Sequence, residues 1–182
     1  MRAARYLPNA VTLLRLGCVP ATVWLIAQNH LTAAFWVFLG AGLSDAVDGI
    51  LARLLRAHSA LGSYLDALAD KVLLVSTFIS LGISGRVWGW LVVLVVCRDL
   101  LLVGFAAFMH FSGLQRRVAP LLISKVNTVA QILLAAAVMG HGGTGLFPNW
   151  LIGLLSWVVA GTTAASGAAY VVSWRRRMAA GR

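Results

Sequence analysis

The sequence predicts an all-α integral membrane protein with six transmembrane helices and both termini in the cytoplasm. Of its 182 residues, 60% are hydrophobic and only 11% are charged, whereas a soluble globular protein is roughly 45–50% apolar and roughly 25% charged. The mean hydropathy is +0.88. A spanning helix needs roughly 20 residues to cross a ~30 Å hydrocarbon layer, so six helices use about 120 residues and leave about 60 for ends and connections. We therefore expect a single membrane domain over residues 1–182.

The first three apolar segments cover residues 8–27, 32–52 and 64–84. The first segment contains Arg15 and is longer than the apolar region of a signal peptide, which indicates a retained helix. The polar residues 28–31 separate it from the second segment. The third segment ends at Gly85 and Arg86, where a turn is expected. The second and third segments together contain four of the five acidic residues of the chain.

The last three apolar segments cover residues 87–111, 121–140 and 147–173. Trp88 and Trp90 begin the fourth segment, and tryptophan is typical of the boundary between membrane and water. Residues 141–146, with the sequence HGGTGL, are predicted to connect the fifth and sixth segments. Gly142 and Gly143 are expected to form the turn of this connection.

Basic residues predict the orientation of the six helices. The connections after the first, third and fifth segments contain one fixed charge, Arg86. The opposite side collects Arg2, Arg5, Arg53, Arg56, Arg116, Arg117, Lys125, Arg175, Arg176, Arg177 and Arg182. The positive-inside rule therefore places both termini and the loops at 53–63 and 112–120 in the cytoplasm. The net charge of +10 indicates anionic lipid rather than nucleic acid, because nucleic-acid binders carry basic residues on a polar, soluble surface.

Four aspartates in the second and third segments are the main candidates for chemistry. An acidic side chain at membrane depth costs roughly 2.5–3.5 kcal/mol on insertion scales, so each one is a functional hypothesis. Residues three or four apart share one face of a helix, which groups Asp45 with Asp48 and Asp66 with Asp70. Because the loop between the segments is short, we expect antiparallel neighbouring helices that bring both pairs to one pocket.

The chemistry of four carboxylates indicates divalent cations. Carboxylates that face each other in a low dielectric stay ionised only beside positive charge, and oxygen ligands alone select Mg²⁺, Mn²⁺ or Ca²⁺. Two such ions about 4 Å apart suit an in-line displacement at phosphorus. Gly49 and Gly62 leave the backbone open to a nucleotide or phosphate. Ala52 adds a small side chain, and Arg53 can neutralise a diphosphate.

Other interpretations of these residues stay open. Gly49, Ala52 and Gly62 also match a helix-packing face. Asp99 lies beside Arg98, and a structural ion pair explains it as well as a functional role does. A divalent-cation transporter would also place aspartates in the membrane, although it gives no reason for the small residues. A purely structural lipid-binding protein leaves the cost of the buried acids unexplained.

The spacing D-x2-D-G-x2-A-R-x8-G-x3-D-x3-D, from Asp45 to Asp70, matches the signature of the CDP-alcohol phosphatidyltransferase family at every position. The opening Leu-Pro-Asn-Ala-Val-Thr-Leu-Leu-Arg of residues 7–15 also resembles members of this family. The resemblance implies a homodimer, two divalent ions (Mg²⁺ or Mn²⁺) held by the four aspartates, and Asp70 as general base. It also implies a CDP-diacylglycerol site at Asn9, Thr12, Gly49, Ala52, Arg53, Ser59 and Gly62.

Within the family, the chain resembles the CMP-forming cardiolipin synthases. Phosphatidylglycerophosphate synthases, which use glycerol 3-phosphate, typically have Arg-Glu where this chain has Arg98-Asp99. The resemblance implies lipid substrates and a bacterial plasma membrane, with the active site facing the cytoplasm. Ser124, Thr128 and two further residues share a polar face of the fifth helix, which either lines the acceptor pocket or forms interhelical hydrogen bonds. The predicted acceptor-binding residues are Arg98, Arg116, Lys125, Asn127 and Gln131.

Overall fold

A computed structural model describes the backbone of residues 7–55, 60–111 and 122–180, and the side chains of 14–44, 68–104 and 122–172. These parts of the chain form six α-helices and no β-strand. The helices are α1 (Leu7–Ala27), α2 (Leu31–Leu55), α3 (Ala60–Ile83), α4 (Gly89–Phe111), α5 (Leu122–Thr144) and α6 (Asn149–Ala180). Each predicted apolar segment coincides with one helix to within a few residues, so the all-α class and the order of the helices are confirmed.

Two turns at the same end of the bundle stop α1 and α3 in the same way. Asn29 and Gly85 adopt left-handed backbone conformations, with φ of 63° and 70°. In the first turn the N–H of His30 donates to the carbonyl of Leu25 at 2.8 Å, and an equivalent bond of 2.9 Å closes α3. This pattern satisfies the last carbonyls of a helix. The Arg86 guanidinium donates to the Asn29 side chain at 2.5 Å and so ties the two turns together.

The structure corrects the prediction for the connection between the fifth and sixth segments. Helix α5 continues to Thr144, so Gly142 and Gly143 belong to its last turn and not to a loop. A Cβ atom on Gly143 would overlap the backbone nitrogen of Thr32, and one on Gly142 would overlap the side chain of Leu31. The two glycines therefore allow α5 to approach the start of α2 closely.

Helix α1 packs against both α2 and α3, while α5 packs against α2 and α6. In the described parts of the chain α2 and α3 do not pack directly on each other. The halves of these helices that carry the aspartates, where we expect them to be neighbours, lie largely outside the described side chains, so that expectation stays a prediction. Their described halves are joined instead through α1 and α5, and a gap is left between them. The largest fully buried apolar side chains of the bundle are Phe78, Ile26, Leu31, Leu81, Leu91, Leu134 and Met139.

The surface of the bundle is rich in large apolar side chains. Trp36 and Trp157 are each 64% exposed, and Trp88 packs edge-on against Trp157. Among the described residues, two helical segments are long and apolar enough to cross a membrane: Leu122–Thr144 and Asn149–Val172. Two shorter apolar stretches lie at Leu14–Ala27 and Leu31–Ser44.

Candidate active site

The aspartate signature lies on the second half of α2 and the first half of α3. Asp45 and Asp48 are three residues apart on α2, and Asp66 and Asp70 are four apart on α3. Of these four side chains, the structure describes that of Asp70. The other predicted substrate residues with helical backbone but no described side chain are Asn9, Thr12, Gly49, Ala52, Arg53 and Gly62. Ser59 and Arg116 lie outside the described residues, so their roles stay predictions.

Asp70 is held by an ion pair with Arg15 of α1. The Nη1 atom of Arg15 donates to Oδ1 of Asp70 at 2.7 Å. The Arg15 side chain is only 2% exposed, whereas that of Asp70 is 46% exposed. The guanidinium is thus buried in the bundle, while the carboxylate that accepts from it reaches a more open region. Arg15 therefore fixes the position of Asp70 relative to α1.

The ion pair of Arg15 with Asp70 is not among the contacts predicted from the sequence. The available signal was its position, because an arginine inside an apolar helix needs an acceptor nearby. Arg53, Lys71 and Arg98 are all closer to Asp70 in sequence than Arg15 is. The contact with Asp70 spans 55 residues of the chain and depends on how α1 packs against α3.

Asp70 also lines a cavity of about 300 Å³ that occupies the gap between α2 and α3. Arg15 lies in the same wall. The remaining lining is mostly hydrocarbon, contributed by α2, α3 and α5, and includes Phe38, Leu43, Leu73, Leu74 and Ile132. A charged carboxylate thus faces a space in which most other surfaces are apolar. Pockets of this kind, with a few polar groups in apolar walls, are typical ligand sites.

A second polar cluster joins α3, α4, α5 and α6. Oδ1 of Asp99 accepts from Lys71 at 2.9 Å and from Arg98 at 2.6 Å. Arg98 also donates to Ser166 and, at 2.7 Å, to Ser124. Both Arg98 and Asp99 are almost completely buried. The ion-pair interpretation of Asp99 is therefore the one that the structure shows.

Lys71 links this cluster to the aspartate signature, because it directly follows Asp70 on α3. Its Nζ contact with Asp99 ties α3 to α4 one residue beyond Asp70. The predicted acceptor-binding role of Arg98 stays a prediction, since its described contacts are with protein groups. Lys125, another acceptor candidate, has an exposed side chain on α5.

The polar face of α5 makes interhelical hydrogen bonds, which is one of its two predicted roles, and its part in an acceptor pocket stays a prediction. Asn127 is buried and accepts hydrogen bonds from Thr162 and Thr163 of α6, each at 2.8 Å. This is the expected interhelical pairing. Thr128 lines the cavity beside Asp70. Gln131 is fully buried, and among the described residues neither atom of its side-chain amide has a hydrogen-bond partner.

The residue types of the signature fit divalent cations. The described side chains contain no group of three or more aspartate, glutamate, histidine or cysteine residues that could hold a metal ion, and three of the four signature aspartates lie outside them. The helical backbone does place two aspartate pairs on consecutive helices at three- and four-residue spacing. Carboxylate oxygens are the ligands that Mg²⁺ prefers. The residues that would hold the ions are Asp45, Asp48, Asp66 and Asp70.

Comparison with known protein families gives a match over most of the chain. The model of the CDP-alcohol phosphatidyltransferase family matches residues 5–165, a range that includes the whole aspartate signature.

Individual relatives carry two different names. A chloroplastic CDP-diacylglycerol–glycerol-3-phosphate 3-phosphatidyltransferase of Oryza sativa subsp. japonica is 40% identical over 93% of this chain and 57% of its own length. The CMP-forming cardiolipin synthases of Rattus norvegicus and Homo sapiens are 33% and 32% identical, each over 90% of this chain and 60% of their own length. The chain thus spans less than two thirds of the length of these relatives.

Proposed function

Because the chain belongs to the CDP-alcohol phosphatidyltransferase family, we propose that it transfers a phosphatidyl group from CDP-diacylglycerol to phosphatidylglycerol, giving cardiolipin and CMP. The observation that carries this proposal is the position of Asp70, the last acid of the signature. Its half-exposed carboxylate lines an apolar cavity, where a base and a lipid can meet.

In the proposed reaction Asp70 accepts the proton of the acceptor's primary hydroxyl. The hydroxyl oxygen then attacks the phosphorus that carries the diacylglycerol, a new P–O bond forms, and the bond to CMP breaks. General-base catalysis requires the base within hydrogen-bond reach of this proton, and the ion pair with Arg15 holds the carboxylate at the cavity. Divalent ions bound at the aspartates would supply neutralising charge for the attacking and leaving oxygens.

The membrane arrangement is part of the same proposal. We place all six helices across the bilayer, with both termini and the active site on the cytoplasmic side, as the distribution of basic residues predicts. The bacterial plasma membrane stays a prediction, because the rice relative is named as a chloroplast enzyme. The homodimer and the two bound cations are likewise predictions.

A second acceptor has specific support. The rice relative, at 40% identity, is named for transfer to glycerol 3-phosphate, and this chain could use the same acceptor. Phosphatidylglycerol is favoured by the Arg98-Asp99 pair and by the apolar walls of the cavity, because a soluble dianion loses hydration in such surroundings. The cation-transporter alternative is disfavoured by the family match, which covers the complete signature.

To identify the acceptor, purified protein is incubated with CDP-diacylglycerol together with both phosphatidylglycerol and glycerol 3-phosphate. We expect cardiolipin as the main lipid product, with one CMP released for each cardiolipin formed, when the products are resolved by mass spectrometry. Phosphatidylglycerophosphate as the sole product would contradict the assigned acceptor and keep the reaction class. No CMP release with either acceptor would contradict the proposed reaction class.

The orientation is tested by cysteine labelling in intact cells that express a variant without Cys18 and Cys97. A single cysteine at position 144 should react with an impermeant thiol reagent, whereas one at position 57 or 115 should react only after lysis. Thr144 is the appropriate outer site because it is exposed, while a side chain at Gly143 would overlap Thr32. Reversed labelling would place the active site on the opposite face of the membrane.

A further inference from the structure

The cavity beside Asp70 opens onto the surface of the helix bundle. Two of its lining residues are exposed, Leu43 of α2 at 64% and Ile132 of α5 at 40%. Gly42, next to Leu43, also lines the cavity, and a Cβ atom built on it meets nothing within 4 Å. The opening therefore lies along α2 and α5, two helices that the sequence predicts to cross the bilayer.

The lining of the cavity suits a hydrocarbon chain. Among the described residues that form it, the charged groups are Arg15 and Asp70, and Thr128 adds one hydroxyl that donates to the carbonyl of Ser124 within α5. A small charged molecule would lose its hydration against such walls. An acyl chain carries no polar group into them and gains dispersion contacts on several sides.

We propose that this cavity receives an acyl chain of the lipid acceptor, which enters sideways from the bilayer along α2 and α5. The inference rests on the proposed function and extends it to acceptor selection. We assign the cavity to the acceptor and not to the donor because Asp70 lines it. In the proposed reaction this base deprotonates the hydroxyl of the acceptor. The expected CDP site from Gly49 to Arg53 lies beyond Asp45 along α2, whereas the cavity residues Phe38 to Leu43 precede it.

This arrangement makes the cavity a selectivity element. A lipid acceptor is held by its chain, with its headgroup beside Arg15 and Asp70. Glycerol 3-phosphate has no chain to place there and gains nothing from the apolar walls. A side chain that fills the cavity should therefore weaken the binding of a lipid acceptor and leave the binding of CDP-diacylglycerol unchanged.

Two glycines of α2 provide a matched pair of variants. Gly42→Leu places a side chain in the cavity. Gly40→Leu makes the same change two residues earlier on the same helix, where a Cβ atom also meets nothing within 4 Å and the glycine does not line the cavity. Both variants remove a helix-interior glycine, so their effects on helix propensity are similar.

We expect Gly42→Leu to raise the KM for phosphatidylglycerol about tenfold, a typical discrimination for a small change in an apolar pocket. The KM for CDP-diacylglycerol should stay unchanged in this variant, and Gly40→Leu should keep both values. A rise in the KM for CDP-diacylglycerol would assign the cavity to the donor and overturn the inference. Equal kinetics for the two variants would show that no chain enters the cavity.

Photo-crosslinking of the unchanged protein tests the same inference if Gly42→Leu fails to fold. Phosphatidylglycerol with a photoreactive group in one acyl chain should label peptides of α2 and α5 that contain residues 38–43 and 128–132. Labelling confined to other helices would overturn the inference. Failure of the proposed function is recognised separately, since the unmodified protein would then form no cardiolipin from phosphatidylglycerol.

Discussion

Replacement of Asp70 by asparagine is expected to lower the turnover number by about 10²–10⁴-fold, the range typical of a lost general base. Asparagine keeps the size of the side chain and removes its capacity to accept the proton of the acceptor hydroxyl. The measurement is CMP release at saturating concentrations of both substrates. A folded Asp70→Asn protein with nearly normal CMP release would exclude Asp70 as the base.

A control must separate the base from the ion pair, because Asp70→Asn also removes the charge that pairs with the buried Arg15 guanidinium. Arg15→Gln breaks the same ion pair and keeps the carboxylate. We expect Arg15→Gln to lower thermal stability as Asp70→Asn does and to retain much more activity. If the two variants lose activity equally, the ion pair rather than proton transfer explains the effect of Asp70.

The helices could be predicted from sequence because each apolar segment is long and is bounded by charged or turn-forming residues. Asn29 and Gly85 stop helices where the pattern indicated. The end of α5 was misplaced because glycine in a sequence favours a turn, whereas Gly142 and Gly143 serve close packing against α2. This requirement comes from a neighbouring helix and leaves no mark in the local sequence.

The residue types of the candidate site could be predicted from the sequence, whereas the contacts between their side chains could not. Helical spacing groups the aspartates in pairs, and a family signature identifies their chemistry. The ion pair between Arg15 and Asp70 and the cavity depend on the packing of α1 between neighbours, which periodicity does not specify.

Removal of any one of Asp45, Asp48 or Asp66 by substitution with alanine is expected to lower CMP release at least about 100-fold, since even the outer partners of metal ligands account for roughly 10–100-fold. EDTA should abolish the activity of the unmodified protein, and Mg²⁺ or Mn²⁺ should restore it. The physical reason is that four carboxylates, if the predicted site brings them together, need cations to stay ionised.

Asp99 provides the matched control for this prediction, because it is a buried aspartate of the same bundle whose partners are Lys71 and Arg98. Asp99→Asn should lower thermal stability, since it weakens a buried ion-pair cluster. The Mg²⁺ concentration that gives half-maximal activity should stay unchanged in Asp99→Asn and rise in Asp66→Asn. Activity that survives EDTA would show that the signature aspartates act without bound metal. An equal Mg²⁺ dependence of the two variants would show that Asp66 does not hold a cation.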